Sequence, residues 1–204
     1  MIENGRQVGR IEDIRLDHKV RYQQALKFAQ EQELLNVTDV GCGSGYGAWT
    51  MAQGGMHVLA FDRDPAIVEY ANVHYPHETV IYTQSRLEDQ VVTTCDLVTM
   101  FEVIEHSTFS EQFMKSASEV GCRYLMGSVP NELQVPFGEE SHHEHVQHYT
   151  PNQLRVAVER AGWKLIEFGG QLAKQGDGAG VFWGDDFLNE ARTLVFIAQN
   201  KEHV

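Results

Sequence analysis

The chain has 204 residues, 42% of them hydrophobic, and a formal net charge of −13 at pH 7. Its length and apolar fraction predict one domain, spanning 1–204, with a sizeable core. The negative charge repels polyphosphates and therefore counts against a nucleic-acid partner. The sequence has no apolar run of membrane-spanning length, no signal-peptide pattern and three widely spaced cysteines. These features predict a cytoplasmic protein with reduced thiols and no membrane span.

The first predicted element is an amphipathic helix at 18–34, in which apolar side chains recur at helical spacing. Arg21 and Tyr22 stand near its start. The guanidinium of Arg21 would pair well with the carboxylate of a ligand. An exposed Arg21 and a core Tyr22 are the alternatives.

A strand, a glycine turn and a helix start come next. A β-branched run that contains Asp39 leads into 41–47, where glycine occupies every second position. Glycine is needed where the backbone takes a positive φ or where a ligand touches the main chain. A turn of this kind before a helix N-terminus presents backbone N–H groups to a ligand. Cys42 is interpreted as a small residue that fits the turn.

Strands alternate with helices through the middle of the chain. Predicted strands at 58–62, 80–83, 96–100 and 124–129 are separated by helical segments, which indicates a doubly wound parallel sheet. Ligands of such sheets bind at the carboxyl ends of the strands. Asp62, which ends the second strand, stands at the distance from the glycine turn expected for a ribose-binding carboxylate.

The last third of the chain departs from this alternation. The segment 130–150 has no strand or helix pattern and is rich in histidine. A helix is predicted from Pro151, a strand at 163–168 and a final strand at 193–198. The glycine-rich segment between these two strands, placed within 169–192, is predicted to be a mobile connection.

The Gly-x-Gly-x-Gly turn, with Asp39 before it and Asp62 after it, resembles the first two motifs of class I S-adenosylmethionine-dependent methyltransferases. Over roughly 18–198 the chain is similar to the small single-domain type 11 and type 23 groups. The resemblance implies a seven-stranded, doubly wound, Rossmann-like sheet of the α/β class with its last strand antiparallel. It also implies that loop 130–150 caps the substrate.

The resemblance implies S-adenosylmethionine as the cofactor. The residues it implies for cofactor binding lie in the first helix and at the strand ends. They are Arg21, Tyr22, Asp39, Gly41, Cys42, Gly43, Ser44, Tyr46, Asp62, Arg63, Arg86, Leu87, Phe101 and Glu102.

Methyl transfer requires an aligned acceptor and, for a hydroxyl or amine, a group that removes its proton. Histidine has a suitable unperturbed pKa for that task. His106, which follows the fourth predicted strand, is the first candidate for the base, and His145 in the histidine-rich loop is the second. The predicted acceptor is a small molecule or a glycan, methylated on oxygen or nitrogen.

Three other interpretations stay open. The Glu-x-x-Glu-His phrase and the later histidines resemble small-RNA 2′-O-methyltransferases, which implies a divalent metal ion held by Glu102, Glu105, His106 and His145. The same phrase also resembles ubiquinone O-methyltransferases. A non-catalytic protein that binds S-adenosylmethionine is the second interpretation. An NAD-dependent oxidoreductase is the third and poorer one, because the third glycine comes one residue early for that fold.

Overall fold

One mixed sheet of eight strands forms the centre of the chain, whose computed structural model describes residues 2–3, 6–7, 11–138 and 144–203. The strands are β1 (Asn36–Val40), β2 (His57–Asp62), β3 (Val80–Gln84), β4 (Leu97–Phe101), β5 (Tyr124–Pro130), β6 (Trp163–Gln171), β7 (Phe182–Trp183) and β8 (Thr193–Asn200). Their spatial order is β3-β2-β1-β4-β5-β8-β6-β7. Strands β1 to β5 are parallel, whereas β8 is antiparallel to both of its neighbours. Two short strands, Ile2–Glu3 and Arg6–Gln7, pair with each other outside this sheet.

Five helices accompany the sheet in the described part of the chain. They are α1 (Leu16–Glu31), α2 (Tyr46–Gln53), α3 (Pro65–His74), α4 (Ser110–Glu119) and α5 (Pro151–Arg160). Two of them begin at clear caps: Asp64 accepts from the N–H of Ala66 at 3.0 Å, and Thr150 forms a capping box with Gln153. None of the helices among the described residues is long and apolar enough to cross a bilayer.

Apolar side chains cover both faces of the sheet. One buried cluster joins the strands to α1, α2 and α3, and the other joins them to α4 and α5. All residues of β4 and β5 are buried. Burial on both faces is expected for parallel strands whose connections are helical. This arrangement confirms the predicted α/β, doubly wound fold with an antiparallel last strand.

The structure corrects the prediction between β6 and β8. Strand β6 continues through Gly169 and Gly170 to Gln171, and β7 adds an eighth strand that pairs with it. A Cβ at Gly169 would lie 2.1 Å from the carbonyl oxygen of Phe182. Glycine here therefore permits close approach of two strands, and the prediction of a connection starting at 169 was wrong.

The first helix is also displaced from its predicted range of 18–34. It begins two residues earlier and ends at Glu31. Glu33 then adopts a φ of +53°, and the N–H of Leu34 bonds the carbonyl of Ala29 at 2.8 Å. A left-handed residue after the last turn is a common helix terminator, and the apolar pattern gave no sign of it here.

Close packing of α1 on α2 depends on Gly47. A Cβ at this position would lie 2.1 Å from the ring carbon Cζ of Tyr22. We expect Gly47→Ala to lower the free energy of unfolding by about 1–3 kcal/mol, because the buried ring has to move. Gly180→Ala is the control: its φ is −61°, and the added Cβ would lie 3.4 Å from its nearest neighbour. Equal denaturant midpoints for the two variants would contradict the expectation.

Candidate functional site

A cavity of about 500 Å³ opens at the carboxyl ends of the parallel strands. Its wall includes residues from 40–46 at the end of β1, 61–63 at the end of β2, 85–88 after β3 and 101–109 at the end of β4. The volume is within the range of about 300–1,000 Å³ found for small-molecule sites. The cavity therefore lies where the sequence predicts a ligand.

In the glycine turn, backbone atoms without side chains line this cavity. Gly41 and Gly43 have φ angles of +64° and +53°. A Cβ at Gly41 would lie 2.6 Å from a methyl carbon of Val103, whereas a Cβ at Gly43 would meet nothing within 4 Å. Gly41 therefore packs closely against Val103, and a ligand can reach the backbone at Gly43 directly.

Asp62 connects this turn to the end of β2. Its carboxylate accepts hydrogen bonds from the N–H of Gly43 at 3.1 Å and from the N–H of Asp64 at 3.0 Å. The side chain lines the cavity although only 5% of the residue is exposed. These two bonds fix the orientation of the carboxylate before any ligand arrives.

Two buried hydroxyls beside the turn provide a test of the implied cofactor. Ser44 Oγ and the Tyr46 hydroxyl have no hydrogen-bond partner among the residues that the structure describes, and both residues line the cavity. Buried polar groups normally have partners, so these two groups suit a ligand rich in donors and acceptors. Together with Asp62 and the bare turn, they fit the nucleoside and amino-acid parts of S-adenosylmethionine.

Arg21 lies behind the cavity wall and not on it. Its fully buried guanidinium donates to Glu102 Oε1 at 2.7 Å, to Ser128 Oγ at 2.7 Å and to Asp17 Oδ2 at 3.2 Å. Burial by itself raises the pKa of Glu102, but the charge of Arg21 and the Ser128 hydroxyl outweigh burial and hold the pKa below its usual value. Glu102 itself has a φ of +55°, an uncommon conformation for this residue type.

Asp39 is likewise buried behind the wall. It accepts hydrogen bonds from Thr99 Oγ1 at 2.6 Å and from the Tyr22 hydroxyl at 3.0 Å. Burial raises the pKa of Asp39 to about 7, although both hydroxyls favour the charged form. Asp39 thus joins α1, β1 and β4 beneath the glycine turn.

Glu105, His106 and His145 meet at the other end of the cavity. Each offers one ligand atom, and these atoms lie within 4.8 Å of one another. Both carboxylate oxygens of Glu105 are buried without a hydrogen-bond partner among the described residues. Burial, and then the charge of Glu102, raise the pKa of Glu105, while burial lowers the pKa of His106.

Carboxylate and imidazole ligands suit a divalent ion such as Mg²⁺, Mn²⁺ or Zn²⁺. Three of the four predicted metal ligands are therefore close together. The fourth, Glu102, is engaged by Arg21 and is not in this group.

All but two of the predicted cofactor residues line the cavity, the exceptions being Arg21 and Asp39. Both predicted bases, His106 and His145, line it as well. His142 and His143 lie outside the described residues. The sequence interpretation missed further lining residues, which include Arg15, His18, Phe109, Glu144, Val146 and Lys174.

His18 begins the predicted helix and Arg15 lies just before it, close in sequence to the predicted residues Arg21 and Tyr22. Lys174 comes from the connection after β6, where its carbonyl accepts from the N–H of Asp17 at 3.4 Å. No local pattern marks Lys174 as a cavity residue.

The shifted pKa of Asp39 makes stability depend on pH. The carboxyl has a pKa of about 7 in the native state and about 3.8 in the unfolded state. At pH values between these two, the native state therefore binds one more proton than the unfolded state. The free energy of unfolding should therefore fall as pH rises from about 4 to 7, by on the order of 4 kcal/mol.

Asp39→Asn should remove this contribution to the slope, measured by urea unfolding at several pH values. Asp64→Asn is the control for the same Asp-to-Asn change near another strand end, because Asn also caps a helix well. A slope that is identical in the Asp39 variant and the wild type would contradict the expectation.

Comparison with known proteins identifies the family. A family model described as a methyltransferase domain, type 23, matches residues 15–167. A probable S-adenosylmethionine-dependent methyltransferase of Mycobacterium tuberculosis is 31% identical over 128 residues, which cover 61% of this chain and 45% of that protein. A ubiquinone biosynthesis O-methyltransferase of Rickettsia felis is 32% identical, with 71% of this chain and 66% of that protein covered.

The chain thus spans about half the length of the mycobacterial relative. Among solved structures, the methyltransferase domain of a bacterial Hen1 superposes with a TM-score of 0.69 at 18% identity, covering 90% of this chain and 98% of that domain. At that identity the likeness shows the fold alone. Since the family model matches most of the chain, the chain belongs to the type 23 family of methyltransferase domains and has their class I fold.

Proposed function

We propose that the chain transfers the methyl group of S-adenosylmethionine to an oxygen or nitrogen atom of a small-molecule or glycan-like acceptor. One observation carries this proposal. A single cavity has the glycine turn and Asp62 in one part of its wall and Glu105, His106 and His145 in another. Cofactor-binding groups and proton-accepting groups therefore face the same space.

The cofactor would occupy the part of the cavity beside the glycine turn. S-adenosylmethionine supplies an electrophilic methyl group when it is bound. Asp62 would accept from the ribose hydroxyls, and the segment of Arg86 and Leu87 would lie against the adenine. Ser44 and Tyr46, whose buried hydroxyls have no partner among the described residues, would bond the polar atoms of the cofactor.

The acceptor would enter between the strand ends and the segment that carries His145. His106 and His145, whose ring centroids are 4.5 Å apart, are the candidate proton acceptors. Phe109 and Val146 add apolar surface to the same wall. The shared cavity supports an enzyme over a non-catalytic binding protein, because the latter has no need of an acceptor space beside its cofactor.

Loss of the Asp62 carboxylate tests the cofactor assignment. We expect Asp62→Ala to weaken binding of S-adenosylhomocysteine about tenfold or more, since hydrogen bonds to a charged group contribute roughly 1.5–3 kcal/mol. Isothermal titration measures the change, with the exposed loop variant Asp89→Ala as the control. An affinity in Asp62→Ala equal to that of the control would refute the ribose assignment.

Metal-dependent RNA 2′-O-methylation is the second candidate function. The cluster of Glu105, His106 and His145 favours it, because this cluster suits a divalent ion. The net charge of −13 opposes it, and Arg21 holds the fourth predicted ligand, Glu102. We therefore place it behind transfer to a small molecule or a glycan.

Labelling separates the two candidates. The chain is incubated with methyl-labelled S-adenosylmethionine and fractionated cell extract, with and without EDTA. We expect label in the small-molecule or glycan fraction at the same rate in both conditions. Label in RNA that disappears with EDTA would instead establish the second candidate. Cofactor binding without label in any fraction would overturn both in favour of a non-catalytic protein.

A further inference from the structure

Two buried cysteines meet at the edge of the sheet opposite the cavity. Cys95 and Cys122 are 27 positions apart in the sequence, yet their Sγ atoms lie 3.2 Å from each other. Each stands two residues before a strand, Cys95 before β4 and Cys122 before β5. The cavity lies at the carboxyl ends of these strands, so the pair of thiols is separate from the candidate site.

The alignment of β4 with β5 accounts for this meeting. Leu97 pairs with Tyr124 in the parallel ladder, and each cysteine stands two positions before one member of this pair. The N–H of Arg123 donates to the carbonyl of Cys95 at 3.3 Å, so the two backbones are still adjacent there. Neighbouring strands lie about 4.8 Å apart, and a disulfide needs Cα atoms about 4.4–6.8 Å apart. The fold therefore gives the two residues a spacing that a disulfide can span.

Both backbones are anchored near the thiols. Thr94 Oγ1 donates to the carbonyl of Val120 at 2.7 Å, which joins the segment before β4 to the segment before β5. The N–H of Cys122 donates to the carbonyl of Ala117 at 3.0 Å. The carbonyl of Cys122 accepts from the buried amide of Asn200 at 2.9 Å. Noncovalent contacts therefore keep the two sulfur atoms close together before any bond forms between them.

The contact between the thiols favours a reactive sulfur. The Cys95 thiol donates to the Cys122 sulfur, and this hydrogen bond lowers the pKa of Cys122 and raises the pKa of Cys95. The thiolate is the form of cysteine that acts as a nucleophile. Cys122 is fully buried and Cys95 is 7% exposed, but Thr93 and Thr94 beside them are exposed. The pair thus lies just beneath the surface, where local opening admits a small oxidant.

We propose that Cys95 and Cys122 form a reversible disulfide when the protein meets a hydroperoxide, and that this bond links the starts of β4 and β5. The proposal goes beyond the proposed function and does not depend on methyl transfer. The bond would close a loop that contains β4, the wall segment 101–109 and α4. Closing a loop restricts the unfolded chain, so the oxidised protein should be the more stable form.

The reaction consumes one peroxide molecule for each disulfide. With hydrogen peroxide, the Cys122 thiolate attacks one oxygen, the O–O bond breaks, hydroxide leaves and Cys122 becomes a sulfenic acid. The sulfur of Cys95 then attacks the sulfur of Cys122, and the S–O bond breaks to release a second hydroxide. The protons of the two thiols convert both hydroxides to water. The two sulfur atoms together lose the two electrons that reduce the peroxide.

Thiol counting on the folded, full-length wild-type protein tests the proposal. The protein is treated with hydrogen peroxide and denatured, its remaining thiols are blocked with N-ethylmaleimide, and its mass is measured. We expect one blocked thiol, that of Cys42, instead of the three of the untreated protein. Digestion should yield a peptide in which Cys95 is linked to Cys122, and dithiothreitol should restore all three thiols. Three blocked thiols after peroxide, or a disulfide that includes Cys42, would overturn the proposal.

Two matched variants each remove one thiol. We expect peroxide to form no disulfide within the chain of Cys95→Ser, whereas Cys42→Ser should still form the bond between Cys95 and Cys122. Disulfide formation to the same extent in both variants would overturn the proposal. The wild-type measurement stands by itself if a variant fails to fold.

The thermal midpoint gives a second readout on the wild-type protein. We expect the oxidised form to melt about 5–10 °C above the reduced form, because the bond restricts the unfolded chain. Peroxide should not raise the midpoint of Cys95→Ser. An unchanged or lower midpoint in the oxidised wild type would mean that the bond strains the native sheet, and it would overturn the proposal.

Discussion

The buried guanidinium of Arg21 joins the N-terminal helix to the carboxyl ends of β4 and β5. A charge that is removed from water has to be paired, and Arg21 achieves this through Asp17, Glu102 and Ser128. Moving α1 away from the sheet would leave these charges unpaired in the interior. The same contacts hold Glu102 at a φ of +55°, where the chain turns from β4 towards the end of the cavity that contains Glu105 and His106. The shape of that end therefore depends on an interaction between Arg21 and Glu102, which are 81 positions apart in the sequence.

Arg21 also decides which chemistry is available at the cavity. By engaging Glu102, it leaves Glu105 and His106 to face His145 from the opposite segment. A cluster with one carboxylate attracts a cation less strongly than a set with a second carboxylate would. The cluster therefore suits proton transfer at least as well as metal binding.

The glycine-rich parts of the chain show how one residue type serves two purposes. In the turn after β1, Gly41 and Gly43 take positive φ angles and bring the main chain to the cavity, as their alternating spacing predicts. In β6, Gly169 lies within a strand. The residue has to be glycine because a side chain would collide with β7. Both segments read as glycine-rich loops. The close contact of β6 with β7 has no signature in the local sequence, so the eighth strand was not predicted.

By itself, the sequence determined the order of strands and helices, the parallel sheet and the edge at which ligand-binding residues gather. Periodicity and turn residues determine these features because they act on the local backbone and on burial. The tertiary structure decided which charged and polar side chains meet. The sequence predicted Arg21 as a ligand-binding residue and did not single out Arg15, yet the fold buries the first and places the second on the cavity wall. Partner choice of this kind depends on distant segments that pack together, and no local pattern contains that information.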